Sequence, residues 1–87
     1  MTISSELQAA FEQARTDSQQ LTERPDNATL LKLYALYKQG SDGDNTQARP
    51  GFSDIVARAK WDAWNGLKGC AQDEAMRQYI ELIGSLD

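Results

Sequence analysis

The sequence contains no histidine and a single cysteine, Cys70. An intrachain disulfide is therefore impossible, and no set of soft ligands for zinc or another transition metal is available. A thiol just after Gly69 and near a helix start could have a lowered pKa, but without histidine it lacks the usual general base, so no catalytic cysteine is expected. Asp42 and Asp44 are too sparse for a calcium loop, because no acid follows at the spacing that would supply the bidentate ligand. Long apolar runs are missing too. Nothing approaches the roughly 18 consecutive apolar residues of a membrane span, and Met1-Thr2-Ile3-Ser4-Ser5-Glu6 has neither the basic leader nor the apolar run of an export signal. The expected location is cytoplasmic. Positive charge is scarce: nine Lys and Arg against thirteen Asp and Glu leave a net charge of −4. Such a chain repels a phosphate backbone, which argues against nucleic-acid binding and requires that any anionic ligand be held by a local basic cluster.

With 87 residues, 40% of them apolar, the chain reads as one domain over residues 1–87. A chain of this length buries only roughly 60–65% of its unfolded surface, so its core must be thin. Turn residues concentrate in Gly40-Ser41-Asp42-Gly43-Asp44-Asn45, running on to Arg49-Pro50-Gly51, and the apolar residues on either side recur at helical spacing. The expectation is two helical halves joined by a long loop from Gly40 to Phe52.

In the first half, Ser5 with Gln8 forms a capping-box signal, and Leu7, Phe11, Ala14, Ser18 and Leu21 follow as a stripe. Helix one is expected from Ser5 to Leu21. Arg24-Pro25-Asp26 breaks it, Asp26 can cap a second helix carrying Leu30, Leu33, Tyr34 and Tyr37 on one face, and Gly40 is expected to end or fray that helix. In the second half, Ser53 or Asp54 can cap a third helix with Val56, Lys60, Ala63, Trp64 and Leu67, stopped by Gly69. Gln72-Asp73-Glu74 then opens a fourth helix with acids against its dipole and Met76, Tyr79, Ile80, Ile83 and Leu86 as its stripe. The fold class is all-α, a four-helix bundle. Short connections between helices one and two and between three and four favour antiparallel neighbours, and the long loop allows a crossover.

Tyr34, Tyr37 and Lys38 stand at i, i+3 and i+4, so two phenols and an ammonium share one face. Aromatic rings can stack a purine and a neighbouring lysine can reach a phosphate, the combination an adenine nucleotide requires. On spacing alone, a pair of core tyrosines with a solvated lysine is the more common reading. Lys60 lies four residues before Trp64, at the edge of an apolar face, where it either snorkels to water or meets a ligand, while Trp61 and Trp64 read first as packing residues.

The block Lys60-Trp61-Asp62-Ala63-Trp64-Asn65-Gly66-Leu67-Lys68-Gly69, read with Tyr34-x-x-Tyr37-Lys38-Gln39 and Arg49-Pro50-Gly51, resembles the acyl-CoA-binding protein family, from near Phe11 to near Ile83. The resemblance implies an up-down-down-up arrangement of the four helices. It implies that Tyr34, Tyr37, Lys38, Lys60 and Tyr79 contact coenzyme A, the lysines near the 3′-phosphate and the tyrosines around adenine and ribose. It also implies an acyl chain in an interhelical groove lined in part by Phe11, Ala14, Leu31 and Trp61. Gln19 stands where many members carry a basic residue near the ligand phosphates, and Ala71 where members often carry a serine that caps the fourth helix. The loop Asp42-Gly43-Asp44-Asn45-Thr46 resembles the family's turn with its asparagine shifted by one position.

The function implied is a non-catalytic, monomeric carrier and buffer of medium- to long-chain fatty acyl-CoA, with acyl-CoA-using enzymes as partners and no metal or cofactor. Two other classes remain open from the residues themselves. A helical interaction module would dock a protein through Tyr34, Tyr37 and Trp64, and a thioester hydrolase would need a nucleophile and base pair that the sequence does not display.

Overall fold

The computed structural model describes residues 3–86 and, among them, four helices and no strand. Met1 and Thr2, on which the expectation of no export signal partly falls, lie outside the described residues, as does Asp87. The helices are α1 (Ser5–Ser18), α2 (Asn27–Asp42), α3 (Ile55–Asn65) and α4 (Gln72–Leu86).

Local side-chain chemistry sets most of the helix ends. Ser4, not Ser5, caps α1, its Oγ accepting from the Leu7 amide at 3.1 Å, and Gln8 instead donates to Glu12 at 3.1 Å. The helix stops at Ser18, short of the expected Leu21. There the Ser18 hydroxyl donates to the Arg15 carbonyl at 2.6 Å, and the Gln19 and Gln20 amides close tighter turns onto the carbonyls of Thr16 and Asp17. Asp26 caps α2 through the Thr29 amide at 2.8 Å, and of the two candidates for α3 Asp54 is the cap, bonded to the Ala57 amide at 3.1 Å. Helix α3 ends at Asn65, earlier than expected, and Gly69 turns the chain towards α4 at φ +91°, a conformation that side chains with a Cβ resist.

Gly40 does not end α2. The helix runs on to Asp42, and Gly40 is buried inside it because Phe11 and Met76 press against the backbone there. A Cβ at this position would lie 3.0 Å from Phe11 Cζ and 3.1 Å from Met76 Cγ. The last carbonyls of α2 are met from α4, where Gln72 Nε2 donates to Gly40 and Ser41 at 3.3 Å each.

The order of contacts along the helices fixes their directions. Ile3, before α1, meets Ala71, Gln72 and Asp73 at the start of α4, so α1 and α4 run parallel. The end of α2 meets the start of α4, while Lys32 and Leu36 face Gln78, Glu81 and Ser85 further along it, so α2 runs antiparallel to α4. Leu31 and Tyr34 on α2 meet Ile55 and Lys60 on α3 in the same order, so those two are parallel. The arrangement is up-down-down-up, and residues 43–54 return along α2 as the crossover.

Short connections did not make their helices neighbours. Helix α2 packs on α4 and α3, and α1 packs on α4, but among the described residues the backbones of α1 and α2, and of α3 and α4, do not pack together. The molecule is spread into a slab of 39 × 35 × 14 Å, with α2 and α4 as its middle. A core of Phe11, Ala14, Leu33, Leu36, Ala75, Met76, Tyr79 and Ile83 joins α1, α2 and α4. Each such large side chain, once buried, contributes roughly 1.5–3 kcal/mol.

The crossover is clipped down at several points. Trp64 Nε1 donates to the Gly43 carbonyl at 2.9 Å and Trp61 Nε1 to the Gln47 carbonyl at 2.8 Å. Asp44 accepts from the Gly69 amide and from Gln39 Nε2, both at 2.9 Å, and buried Asn45 spans the Trp61 carbonyl and the Gln47 amide. Arg49 grips Asp62 with two hydrogen bonds of 3.0 and 2.9 Å, which settles the approach of Arg49-Pro50-Gly51 to α3. Trp64 is therefore buried as well as bonded to the loop, and half-buried Trp61 holds the loop through its indole N–H.

Candidate functional site

Because α2 and α3 run parallel, side chains one turn apart on each meet in register. Lys60 Nζ lies 5.3 Å from the Tyr34 ring centre, and one turn on Lys38 Nζ lies 4.9 Å from that of Trp64. The partners are crossed, with the ring on α2 in the first pair and on α3 in the second. Each pair places a cation on the negative face of an aromatic ring. Lys38 also forms an ion pair with Asp42 at 2.7 Å, and this hydrogen bond holds its ammonium pKa above the ordinary lysine value.

On the other side of α2, three rings meet over the core. Phe11 stacks on Tyr37 with centroids 5.1 Å apart, Tyr79 meets Phe11 edge-on at 5.3 Å, and Tyr37 and Tyr79 are 5.7 Å apart. Above Tyr37 lies the Arg15 guanidinium, 4.2 Å from the ring centre.

Two depressions flank Tyr34 and Leu30, which belong to the walls of both. The first, of about 310 Å³, is walled by Arg15, Ser18, Gln19 and Leu21 from the α1 side, Leu33, Tyr34 and Tyr37 from α2, and Tyr79 from α4. The second, of about 370 Å³, is more apolar and lies between α2 and α3, walled by Leu30, Leu31, Ile55, Val56 and Ala59 with Arg24 and Lys60 among its polar groups. Neither wall includes an aspartate or glutamate. In a chain with thirteen acids this leaves two adjoining hollows carrying positive charge only.

Of the residues singled out by sequence, Tyr34, Tyr37 and Tyr79 wall the first depression, and Leu31, Lys60 and again Tyr34 wall the second. Lys38 lies off both walls, one turn further along the α2–α3 seam. Phe11 and Ala14 are in the core beneath Tyr37 and Tyr79 and form no wall, and Trp61 is tied to the crossover loop. Gln19, exposed, stands in the first wall beside Arg15. Sequence reasoning missed Arg15, whose signal was its place four residues after Phe11, at the rim of the α1 stripe. It also missed Arg24 and Ile55, for which periodicity gave no signal.

Cys70 does not have the lowered pKa that a helix start suggested. Burial pushes its thiol pKa up, and the carboxylates of Glu74, Asp73 and Asp44 add to the shift. Among the described residues no three His, Cys, Asp or Glu side chains gather as a metal site, and no helix is long and apolar enough to cross a membrane.

A hollow walled by aromatic rings with a cation at its rim, adjoining an apolar trough, suits a ligand with a nucleotide at one end and a hydrocarbon at the other. Comparison with known proteins places the chain in a family. The family described as acyl CoA binding protein matches residues 8–83. Acyl-CoA-binding protein homolog 1 of Caenorhabditis elegans is 46% identical over 77 residues, covering 88% of this chain and 90% of the relative. The crystal structure of Oryza sativa acyl-CoA-binding protein 2 superposes with a TM-score of 0.89 at 38% identity, over 93% of this chain and 88% of that one. Enoyl-CoA delta isomerase 2 of Rattus norvegicus is 43% identical over 79 residues, which are 91% of this chain but only 20% of the isomerase. The match to the isomerase is thus confined to a small part of that enzyme. With its fold, its family match and these relatives in agreement, the chain belongs to the acyl-CoA-binding protein family.

Proposed function

We propose that this chain, acting as a single monomeric domain in the cytoplasm, reversibly binds medium- to long-chain fatty acyl-CoA and performs no chemistry on it. The observation that carries this reading is the pair of adjoining depressions on either side of Tyr34, walled by rings, apolar side chains and cations without a carboxylate. In this reading Tyr34, Tyr37 and Tyr79 present ring surface to the adenine and ribose, and Lys60 and Lys38 on the seam take the 3′-phosphate. Arg15, the one charged side chain in the first wall, takes a further share of the ligand's negative charge. The acyl chain follows Leu31 along the trough between α2 and α3. Phe11 serves from below, by fixing the rings of Tyr37 and Tyr79, and Ala14 packs in the same core.

The magnitudes favour a joined ligand. A charge-assisted hydrogen bond contributes about 1.5–3 kcal/mol, stacking a base about 1–3 kcal/mol, and each buried methylene up to about 0.8 kcal/mol. Head and tail then contribute comparably, and a carrier would hand the intact thioester to enzymes that use it. Calorimetric titration with palmitoyl-CoA, free CoA and palmitate tests this. Palmitoyl-CoA is expected to bind far more tightly than either part, and equal affinities for palmitoyl-CoA and CoA would sink the reading.

A further inference from the structure

Lys38 is held away from both hollows. Side chains on a helix incline towards its N-terminus, so an unrestrained Lys38 would lean back towards Tyr34, which walls both depressions one turn earlier on α2. Its ammonium instead reaches forward to Asp42 at 2.7 Å and rests 4.9 Å from the Trp64 ring centre. This pair is built against two preferences of the helix that carries it. Asp42 is the last residue of α2, where the helix dipole disfavours an anion. A lysine placed four positions before its acid is also the weaker order for such a pair. The other helical pairs differ on both counts, because Asp73 and Glu74 precede Arg77 and stand in the first turn of α4. Nor does the end of α2 need the carboxylate. Gln72 meets the Gly40 and Ser41 carbonyls, and the Gly43 amide meets that of Gln39. Among the described residues Asp42 makes no other ion pair. Its side chain is 49% exposed and that of Lys38 27%, so the contact can open without disturbing the core.

A contact that does little for the helix and occupies a ligand-binding cation acts on the ligand. We infer that Asp42 is a release residue, which competes with the ligand's 3′-phosphate for Lys38 and so lowers the affinity for acyl-CoA. This rests on the acyl-CoA reading above. Lys60 is without an acid partner among the described residues, so its whole attraction is open to the phosphate. Lys38 exchanges one anion for another. The ammonium is paired in both states, and the complex gains only the difference between phosphate and carboxylate. When the phosphate leaves, Asp42 takes its place at Lys38, which favours the free state of a carrier that has to give up its ligand.

The test is Asp42→Asn, which keeps the size of the side chain and removes its charge. By calorimetry at physiological salt the variant should bind palmitoyl-CoA about two- to fivefold more tightly than the parent, the scale set by an exposed ion pair. The gain should appear chiefly as slower release. With 3′-dephospho-palmitoyl-CoA it should vanish. In a Lys38→Ala background, Asp42→Asn should change the affinity by less than about 1.5-fold, because only a repulsion that salt screens is left. The unfolding midpoint of Asp42→Asn should equal or exceed the parent's, since an anion has been removed from a helix C-terminus. A variant that binds no more tightly, an equal gain with the dephosphorylated analogue, or an equal gain without Lys38 overturns the inference. A midpoint well below the parent's overturns it too, because the pair would then be a clasp for the end of α2. If the parent itself fails to bind palmitoyl-CoA, the acyl-CoA reading falls and takes the inference with it, whereas a parent that binds beside a variant that gains nothing sinks the inference alone.

Discussion

Alanine replacing glycine in a helix should have opposite effects at Gly40 and Gly84, and the difference comes from what each missing Cβ would meet. Intrinsic propensity favours alanine by about 0.8–1.0 kcal/mol in a helix interior. At Gly84, in the last turn of α4, nothing lies within 4 Å of an added Cβ, so Gly84→Ala should stabilise by about 0.5–1 kcal/mol. At Gly40 the new atom would lie 3.0 and 3.3 Å from two atoms of the Phe11 ring and 3.1 Å from Met76 Cγ. Phe11 is fully buried, with Tyr37 stacked on one face and Tyr79 edge-on, so its ring cannot move without disturbing both. Overpacking of this kind costs about 1–3 kcal/mol. Set against the propensity gain, Gly40→Ala should destabilise by up to about 2 kcal/mol, a fall in Tm of up to roughly 16 °C. Urea or thermal unfolding of both variants checks this. A Gly40→Ala variant as stable as Gly84→Ala would mean that the helices can separate freely at this crossing and that the tyrosine cluster is not fixed by it.

Lys60→Ala should weaken palmitoyl-CoA binding by about 1.5–3 kcal/mol and Lys38→Ala by less, since Lys38 already has Asp42 as a partner and must share it with a phosphate; titration that reverses this order would refute the assignment. Arg15→Gln should cost about 0.5–1 kcal/mol of binding, a penalty that shrinks with salt and that Gln19→Lys in the same wall partly offsets; a salt-independent penalty would place Arg15 off the ligand. Ala71→Ser should raise stability by about 0.5–2 kcal/mol by supplying α4 with the cap it lacks, read as an increase in urea midpoint. Asp44 has its pKa lowered by the Gly69 amide and then by Gln39, so its stabilisation is present above the unfolded carboxylate pKa of about 3.9 and is lost as pH falls through the folded value. Unfolding midpoints between neutral pH and about pH 2.5 should therefore decline more steeply in the parent than in Asp44→Asn, and parallel curves would show that Asp44 contributes nothing to acid sensitivity.

Much of this fold is legible because its signals are local. Asp26 and Asp54 cap α2 and α3 with their own carboxylates, and a cap needs nothing beyond the next three residues. The four apolar stripes depend only on a period. Gly40 was misleading for the opposite reason: its place inside α2 is set by Phe11 and Met76, which arrive from two other helices, whereas a glycine in a turn-rich stretch looks like a stop. Connection length likewise failed to name neighbours, because a short link keeps two helix ends close but leaves the axes free to diverge, and the core lies between α2 and α4. Around the site, aromatic and lysine spacing marked α2. Arg15 and Arg24 were unreadable as a pair with them, since an exposed arginine on one helix looks the same whether or not a ring from another helix lies beneath it.

The acidity of the chain and the cationic character of its site are reconciled by where the acids are used. Asp26 and Asp54 are spent on helix caps, Asp44 on the Gly69 amide and Gln39, and Asp42, Asp62, Asp73 and Glu74 on ion pairs. None of them walls either depression. Arg15, Arg24 and Lys60 are left without an ion-pair partner among the described residues, and all three face those hollows. A bound phosphate responds to charges within about a Debye length, roughly 8 Å at physiological salt, and through a low-dielectric wall it responds chiefly to the nearest. The net charge of −4 is therefore a property of the whole surface that keeps identical molecules apart, while the two depressions present a local field of the opposite sign.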